Sequence, residues 1–334
     1  MKKNVILLTD QVLQSARRYL VQENYTEVTT PRIVRASGAC ENINTLFEVS
    51  ADNDFHWFNG HKSYLAQTGQ LYLEALVPTL GNVYCVGSSF RAEPKVDNRH
   101  LTEFLMIEIE HPGDFDKLLS YMEGFIYQIA QDIVKQEKKQ AIFGLSLETM
   151  DRLSVCPQIF NKITYNQAIE KLQNLNEKIV WGDDISSAQE KILVENNNNQ
   201  PLFITRFPDP MWKFDKEIEV EKFFNMLPDA ENPGLVLSAD LILPFGGESA
   251  GAAARAHEAE VLEKRLLNSR MYKRLLDRGG NLADFGWYIG QVKTNGAIPH
   301  AGCGFGIARI IQWLLGESDI RQAVAFPANK ATLI

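Results

Sequence analysis

The apolar positions along this chain change their period several times, and the changes mark its elements. Leu13, Ala16, Tyr19 and Leu20 recur at helical spacing with polar residues between them, which predicts a first amphipathic helix. "YTEVTTPRIV" reads as a strand running into a turn, with Pro31 ending regular pairing. "LFEVS", "FHWFNG", "KSYLAQ" and "VYCVGSSF" predict short strands. Thr68-Gly69-Gln70 opens a helix over "LYLEALVPTL", "EFLMIEIEH" predicts a long strand, and residues 115 to 139 predict a helix.

From about residue 146 to 200 the chain is richer in Asn, Gln and Lys. There "ITYNQAIEKLQ" and "DISSAQEKILVE" predict helices, and "ENNNNQP" an exposed turn. We expect a helical insertion within one domain rather than a linker. "PLFITRFP" and "GLVLSADLILPFGG" return to strands, and residues 248 to 278 predict a long Ala-rich helix. "HAGCGFGIARIIQWLLG" predicts a glycine-rich strand running into a last helix. The order lacks regular βαβ alternation, which disfavours a doubly wound parallel sheet. It predicts a single α+β domain over residues 1–334, built on an antiparallel sheet.

Composition adjusts this picture only slightly. The chain has 334 residues, 45% hydrophobic and 23% charged, enough for a large core. Its length alone suggests about two domains, a prior that the element order overrides. The formal net charge of -8 argues against a broad basic face for nucleic acid. Cys40, Cys85, Cys156 and Cys303 stand apart, with no CxxC and no His at metal spacing, so free thiols in a reducing compartment are expected. The N-terminal apolar run breaks at Thr9-Asp10, too short to span a bilayer, and no small-residue cleavage site follows. A cytoplasmic protein without membrane contact is the expectation.

Three stretches carry candidate chemistry. "VGSSFRAEPKVDNRHLTEFLMIEIE" puts Arg91, Glu93, Lys95, Arg99 and His100 on the connection between two strands. A surface hairpin held by weak ion pairs would use such residues. So would a phosphate site, where an arginine offers a bidentate fork. "GCGFGIARI" alternates glycine at 302, 304 and 306 and continues to Arg309. Glycine weakens a strand, so either a ligand approaches the backbone or a strand and helix pack tightly there. "SADLILPFGGESAGAAARAHE" flanks a strand and turn with Asp240 and Glu248. These are hard oxygen donors of the kind Mg²⁺ shares with a polyphosphate, or else solvated acids. Arg255, expected at the start of the next helix, can clamp a carboxylate or carboxamide.

Together, Pro31 after a first helix, the "FRAE…RH" hairpin and the "GxGxGxxR" strand-helix resemble motifs 1, 2 and 3 of the class II aminoacyl-tRNA synthetases. "FNGHKSYLAQTGQLYLEAL", "ITYNQAIEKL", "WGDDI", "PLFIT", "ADLILP", "IPHAGCGFG" and "DIRQAVAFP" follow in the order of the aspartyl/asparaginyl branch, from about residue 8 to 327. The resemblance implies a class II catalytic core, an antiparallel sheet flanked by helices, and a homodimer formed through the motif 1 region. It implies ATP and Mg²⁺. Arg91 would hold the α-phosphate and Glu93 the adenine amine. His100 and Arg309 would hold the β- and γ-phosphates, with Arg99 and Gly306 in the same ATP site and Arg91 and Arg309 as the catalytic pair. Asp240 and Glu248 would bind Mg²⁺, Glu248 also bordering the nucleotide. Gln70 and Glu108 would take the substrate ammonium, with Glu74 and Glu103 nearby. Arg255 would face the substrate side chain beside His300. The implied chemistry is attack of a carboxylate on the α-phosphorus, which needs positioning and charge neutralisation.

The same resemblance shows departures. That branch carries an anticodon-binding OB-fold ahead of the core, and no five-strand pattern precedes Pro31. Sequence-specific tRNA recognition is therefore not expected. Leu73 stands where aspartyl enzymes carry a lysine, so the loop is similar to the asparaginyl type. Ala308 replaces a usual glutamate, Cys303 a usual aromatic residue, and an arginine is missing after Pro327; Lys293 and Arg206 also depart from the pattern. Cores of this type without the anticodon module are also known as asparagine synthetases. The expected function is thus an AMP-forming ligase that adenylates aspartate and transfers it to ammonia or another amine. One alternative is an enzyme passing asparagine from its adenylate to an RNA or a biosynthetic acceptor. The other is a non-catalytic amino-acid sensor.

Overall fold

The structure, a computed structural model, describes residues 2–35, 42–50, 57–295 and 298–332. Helix α1 (Lys3–Gln22) leads to β1 (Thr26–Glu27), β2 (Ile33–Val34), β3 (Glu48–Val49) and β4 (Ser63–Leu65). Helix α2 (Gln70–Leu80) precedes the long hairpin of β5 (Val83–Phe90) and β6 (Glu103–Pro112). Next come α3 (Phe115–Val134), α4 (Gln140–Phe143), α5 (Leu147–Ser154), β7 (Asn161–Thr164), α6 (Tyr165–Asn174), α7 (Ser187–Glu195) and β8 (Leu202–Thr205). The chain ends with β9 (Ser238–Leu243), β10 (Gly247–Ala254), α8 (Ala259–Asn268), α9 (Arg270–Asp277), α10 (Gly286–Asn295), β11 (His300–Gly306) and α11 (Ile307–Leu315).

Eight strands form one sheet in the order β1-β5-β6-β11-β10-β9-β8-β7. Every pairing from β5 to β8 is antiparallel, and the edge strands β1 and β7 pair parallel. This is the α+β arrangement that the element order predicts. The period of two along a strand sends alternate residues to opposite faces. Ile107 and Ile109 of β6, Ala250, Ala252 and Ala254 of β10, and Cys303 and Phe305 of β11 pack into the main core. Leu8 and Val12 of α1, Met122 and Phe125 of α3, and Ile310 and Ile311 of α11 belong to the same core. The other face of the central strands carries the polar residues.

Three sequence expectations change. Residues 248–278 are not one helix: Gly247–Ala254 is a central strand, and α8 and α9 follow it. Alanine favours helix in isolation, but here its small side chain lets β10 pack between β9 and β11, and tertiary pairing wins. Arg255 accordingly follows a strand rather than starting a helix. In "ITYNQAIEKLQ" the residues before Tyr165 pair with β8, so the segment expected to be helical also contributes a strand to the sheet. The end of "FHWFNG" is a tight turn with Phe58 and Asn59 at positive φ, 54° each; its first residues, like Cys40, lie outside the described ones.

Candidate active site

The polar face of the sheet forms the floor of a cleft of about 310 Å³. Gly302, Gly304 and Gly306 of β11 stand opposite Glu110, Glu108 and Met106 of β6. A Cβ on Gly302 would lie 1.9 Å from Glu110 Oε2, and one on Gly304 2.6 Å from Met106 Cε. The first two glycines therefore make room for side chains of the neighbouring strand. On the other side of β11, Gly251 and Ala253 pair with Gly304 and Gly302, so the floor is nearly bare. A bulge in β10 between Glu248 and Ala250 shifts the register by one residue. The shift turns Glu248 to the face shared by Asp240, Gly251 and Arg255, the re-aiming that bulges give near functional sites.

The loop from Arg91 to Thr102 borders one end. Asp97 fixes its tip, accepting from the backbone N–H groups of Arg99 (2.8 Å) and His100 (3.0 Å) and from His100 Nδ1 (2.8 Å). Burial works against the Asp97 charge, but these donors hold its pKa below the usual carboxylate range. Arg91 lies 5.3 Å from the centroid of Phe104. Arg309, from the first turn of α11, donates to the carbonyl of Gly246 (2.7 Å) and to that of Arg99 (3.3 Å). Glu190 of α7 reaches the same place, accepting from Arg99 Nη2 (3.2 Å) and from the Glu248 N–H (3.1 Å). Burial and the nearby Glu248 raise the Glu190 pKa.

Glu108 is held at the centre by Thr68, whose hydroxyl donates to it, and by the Gly69 N–H (2.7 Å). At one end of the floor, on the same face of the sheet, lies a buried charge cluster. Arg255 donates from Nε (3.0 Å) and Nη2 (3.2 Å) to the two oxygens of Glu110, and its Nε is 3.7 Å from Glu74. Glu74 accepts from Gln70 (2.7 Å), Asn225 (2.6 Å) and Tyr288 (2.5 Å), with His300 Nε2 at 3.4 Å. Burial opposes the charge on Glu74, yet His300, Arg255 and Tyr288 hold its pKa below the ordinary value. Burial pushes Glu110 up to about 7 against the pull of Arg255. His300, despite its burial, is raised by Glu74.

Of the residues singled out in the sequence, Gln70, Arg91, Glu93, Arg99, His100, Glu108, Asp240, Glu248, Arg255, Gly306 and Arg309 all line the cleft. Glu74 and His300 do not; they lie beside it and reach it through Gln70 and Arg255. Glu103 stands apart: it is exposed, and at five positions from Glu108 it points to the opposite face of β6. Of the expected Mg²⁺ pair, Asp240 has both oxygens bonded to Lys222 Nζ, at 2.8 and 2.7 Å. Among the described residues no group of three or more His, Cys, Asp or Glu side chains could hold a metal. Cys303, a departure noted above, packs its side chain into the core. Sequence reasoning missed Glu110, Glu190 and Lys222. Glu110 was findable, two residues beyond Glu108 on the same pleat; the others arrive from distant segments without a local signal.

A bare-floored antiparallel sheet, bordered by an arginine-bearing hairpin and a glycine strand-helix, defines a class II synthetase core. The chain belongs to this class: the family described as "tRNA synthetases class II (D, K and N)" matches residues 1–330. It is an adenylate-forming ligase by family and fold, and the family uses ATP and Mg²⁺ in general. It is 33% identical over 330 residues to an asparagine–tRNA ligase of Desulforamulus reducens, covering 98% of this chain and 69% of that one. It is 34% identical to that of Herpetosiphon aurantiacus over 332 residues, 95% of this chain and 67% of the other. The structure is similar to asparaginyl-tRNA synthetase from Pyrococcus horikoshii complexed with asparaginyl-adenylate. That similarity has a TM-score of 0.83 and 29% identity, and covers 99% of this chain and 70% of that one. No described helix is long and apolar enough to cross a membrane.

Proposed function

We propose that this chain condenses asparagine with ATP to form asparaginyl adenylate and pyrophosphate. One observation carries the choice of amino acid. Arg255, assigned here to the substrate side chain, is already engaged by Glu110 at both oxygens and lies 3.7 Å from Glu74, which also meets His300 Nε2 at 3.4 Å. Its guanidinium therefore has acidic partners of the chain's own before any substrate enters. A neutral carboxamide adds hydrogen bonds without adding charge. An aspartate carboxylate would bring a third acid into a buried site, which is costly without its own partner. The proposal thus moves from aspartate, the expectation from sequence, to asparagine, in keeping with the relatives' names.

In this reading Gln70 and Glu108 take the substrate ammonium, Glu108 oriented by Thr68 and Gly69. An oxygen of the substrate α-carboxylate attacks the α-phosphorus, and the bond to the β-phosphate oxygen breaks as pyrophosphate leaves. Arg91 carries the charge that develops on the α-phosphate, and His100 and Arg309 that on the leaving group. No side chain is needed as a nucleophile; the site acts by positioning and charge stabilisation.

The test is ATP–pyrophosphate exchange with asparagine or aspartate, with and without ammonium, while AMP and asparagine are followed. Exchange with asparagine alone is the expected result. Exchange with aspartate, giving AMP and asparagine once ammonium is added, would replace this reading by the ammonia ligase. Asparagine binding without any exchange would make the chain a sensor.

A further inference from the structure

Lys222 enters the cleft from the connection between β8 and β9 and lies on the face of the sheet that carries Asp240. Its Nζ is 2.8 Å from Asp240 Oδ1 and 2.7 Å from Oδ2, so it straddles the carboxylate. It also lies 3.7 Å from the centroid of the Phe207 ring, so an aromatic face backs the ammonium. The side chains of Lys222 and Asp240 are only 14% and 15% exposed. Glu248 and Asp184 add negative charge around the same ammonium. The arrangement is a built cation site, and its cation is part of the chain.

A divalent ion cannot share this carboxylate. Mg²⁺ binds oxygen at roughly 2.0–2.1 Å and demands a near-octahedral shell. Bound to either oxygen of Asp240, it would meet the ammonium at contact distance, with little water to screen two like charges. To enter, it would have to expel a group held by two charge-assisted hydrogen bonds and a ring face.

We propose that Lys222 supplies the counter-charge at Asp240 and excludes divalent cations from that carboxylate. A metal ion entering the cleft finds Glu248 without Asp240. The inference does not depend on which amino acid is activated, and its test needs neither amino acid nor nucleotide.

The probe is Mn²⁺ alone, added to the intact chain, with free ion counted by electron paramagnetic resonance. Asp240→Asn should not bind Mn²⁺ more tightly than wild type, because it leaves the Lys222 ammonium in place without its counter-charge. Lys222→Met should tighten Mn²⁺ binding by about tenfold or more, the scale of removing one adjacent like charge. Lys222→Arg should not, and adding Asp240→Asn to Lys222→Met should abolish the gain. Should Lys222→Met fail to fold, Lys222→Gln, which keeps a donor to Asp240 without the charge, takes its place under the same expectation. A folded Lys222→Met that binds no better than wild type would overturn the proposal, since Lys222 would then not be what keeps the metal out.

Discussion

Gly302 on β11 stands directly across from Glu110 on β6, so close that a Cβ on the glycine would lie 1.9 Å from the carboxylate. That space is what lets Glu110 lie flat over the sheet and meet Arg255 with both oxygens.

Gly302→Ala should therefore disturb both the pair and the fold. The new methyl would also meet the backbone carbonyl of Ile109 at 2.3 Å, which cannot swing away. A loss of about 2–4 kcal/mol in urea unfolding is expected, the range for overpacking combined with damage to a buried ion pair. Gly306→Ala is the control. Its Cβ would meet nothing closer than Arg309 Cγ at 3.5 Å, so its stability should stay near wild type.

Glu110 also predicts a pH dependence. Its folded pKa of about 7 lies above the ordinary 4.5 because the group is buried. Between these values the folded form binds more protons than the unfolded form, so this group's contribution to stability falls as pH rises. Asp240, pushed up to about 7 by burial, acts in the same direction. Comparing wild type with Glu110→Gln isolates the first group. Their difference in unfolding free energy should shift against wild type from about pH 4.5 to 7 and level off above.

Glu190 sets a check on the proposed phosphate site. Its carboxylate neutralises Arg99 from 3.2 Å and holds the N–H of Glu248. Glu190→Gln keeps an acceptor there while removing the charge. ATP affinity by calorimetry should rise several-fold at low salt, with the gain shrinking at high salt. Weaker binding would mean that Glu190 positions Arg99 more than it competes for it.

Arg91 carries the step itself in the proposed mechanism. Arg91→Ala should lower pyrophosphate exchange by about 10²–10³, the usual loss when one charge-stabilising donor is removed. Asparagine affinity, measured by calorimetry, should change little, because Arg91 is assigned to the phosphate and not to the amino acid.

Much of the site was legible because its parts are local. Arg91, Glu93, Arg99 and His100 share one connection between two visibly alternating strands, and Asp97 turns that connection back on itself. The misplacement of Glu103 need not have happened: it lies five positions from Glu108, and a period of two sends them to opposite faces. The same period pairs Glu108 with Glu110. The glycine alternation was visible too, but its cause was not. At 302 and 304 it answers side chains of β6, which no reading of β11 alone can supply.

By itself, then, the sequence determined the order of elements, the antiparallel class of the sheet and the residues of each motif, because these depend on neighbours a few positions apart. Tertiary structure decided the rest. The alanine-rich run from Gly247 became a strand because β9 and β11 flank it, overriding its helical preference. One bulge, invisible in the composition, turned Glu248 to the face of Asp240. Lys222 and Glu190, far from the motifs along the chain, set the charge that the acids and arginines of the cleft present. Charge in a buried site depends on every group within a few ångströms, and only the folded chain establishes which groups those are.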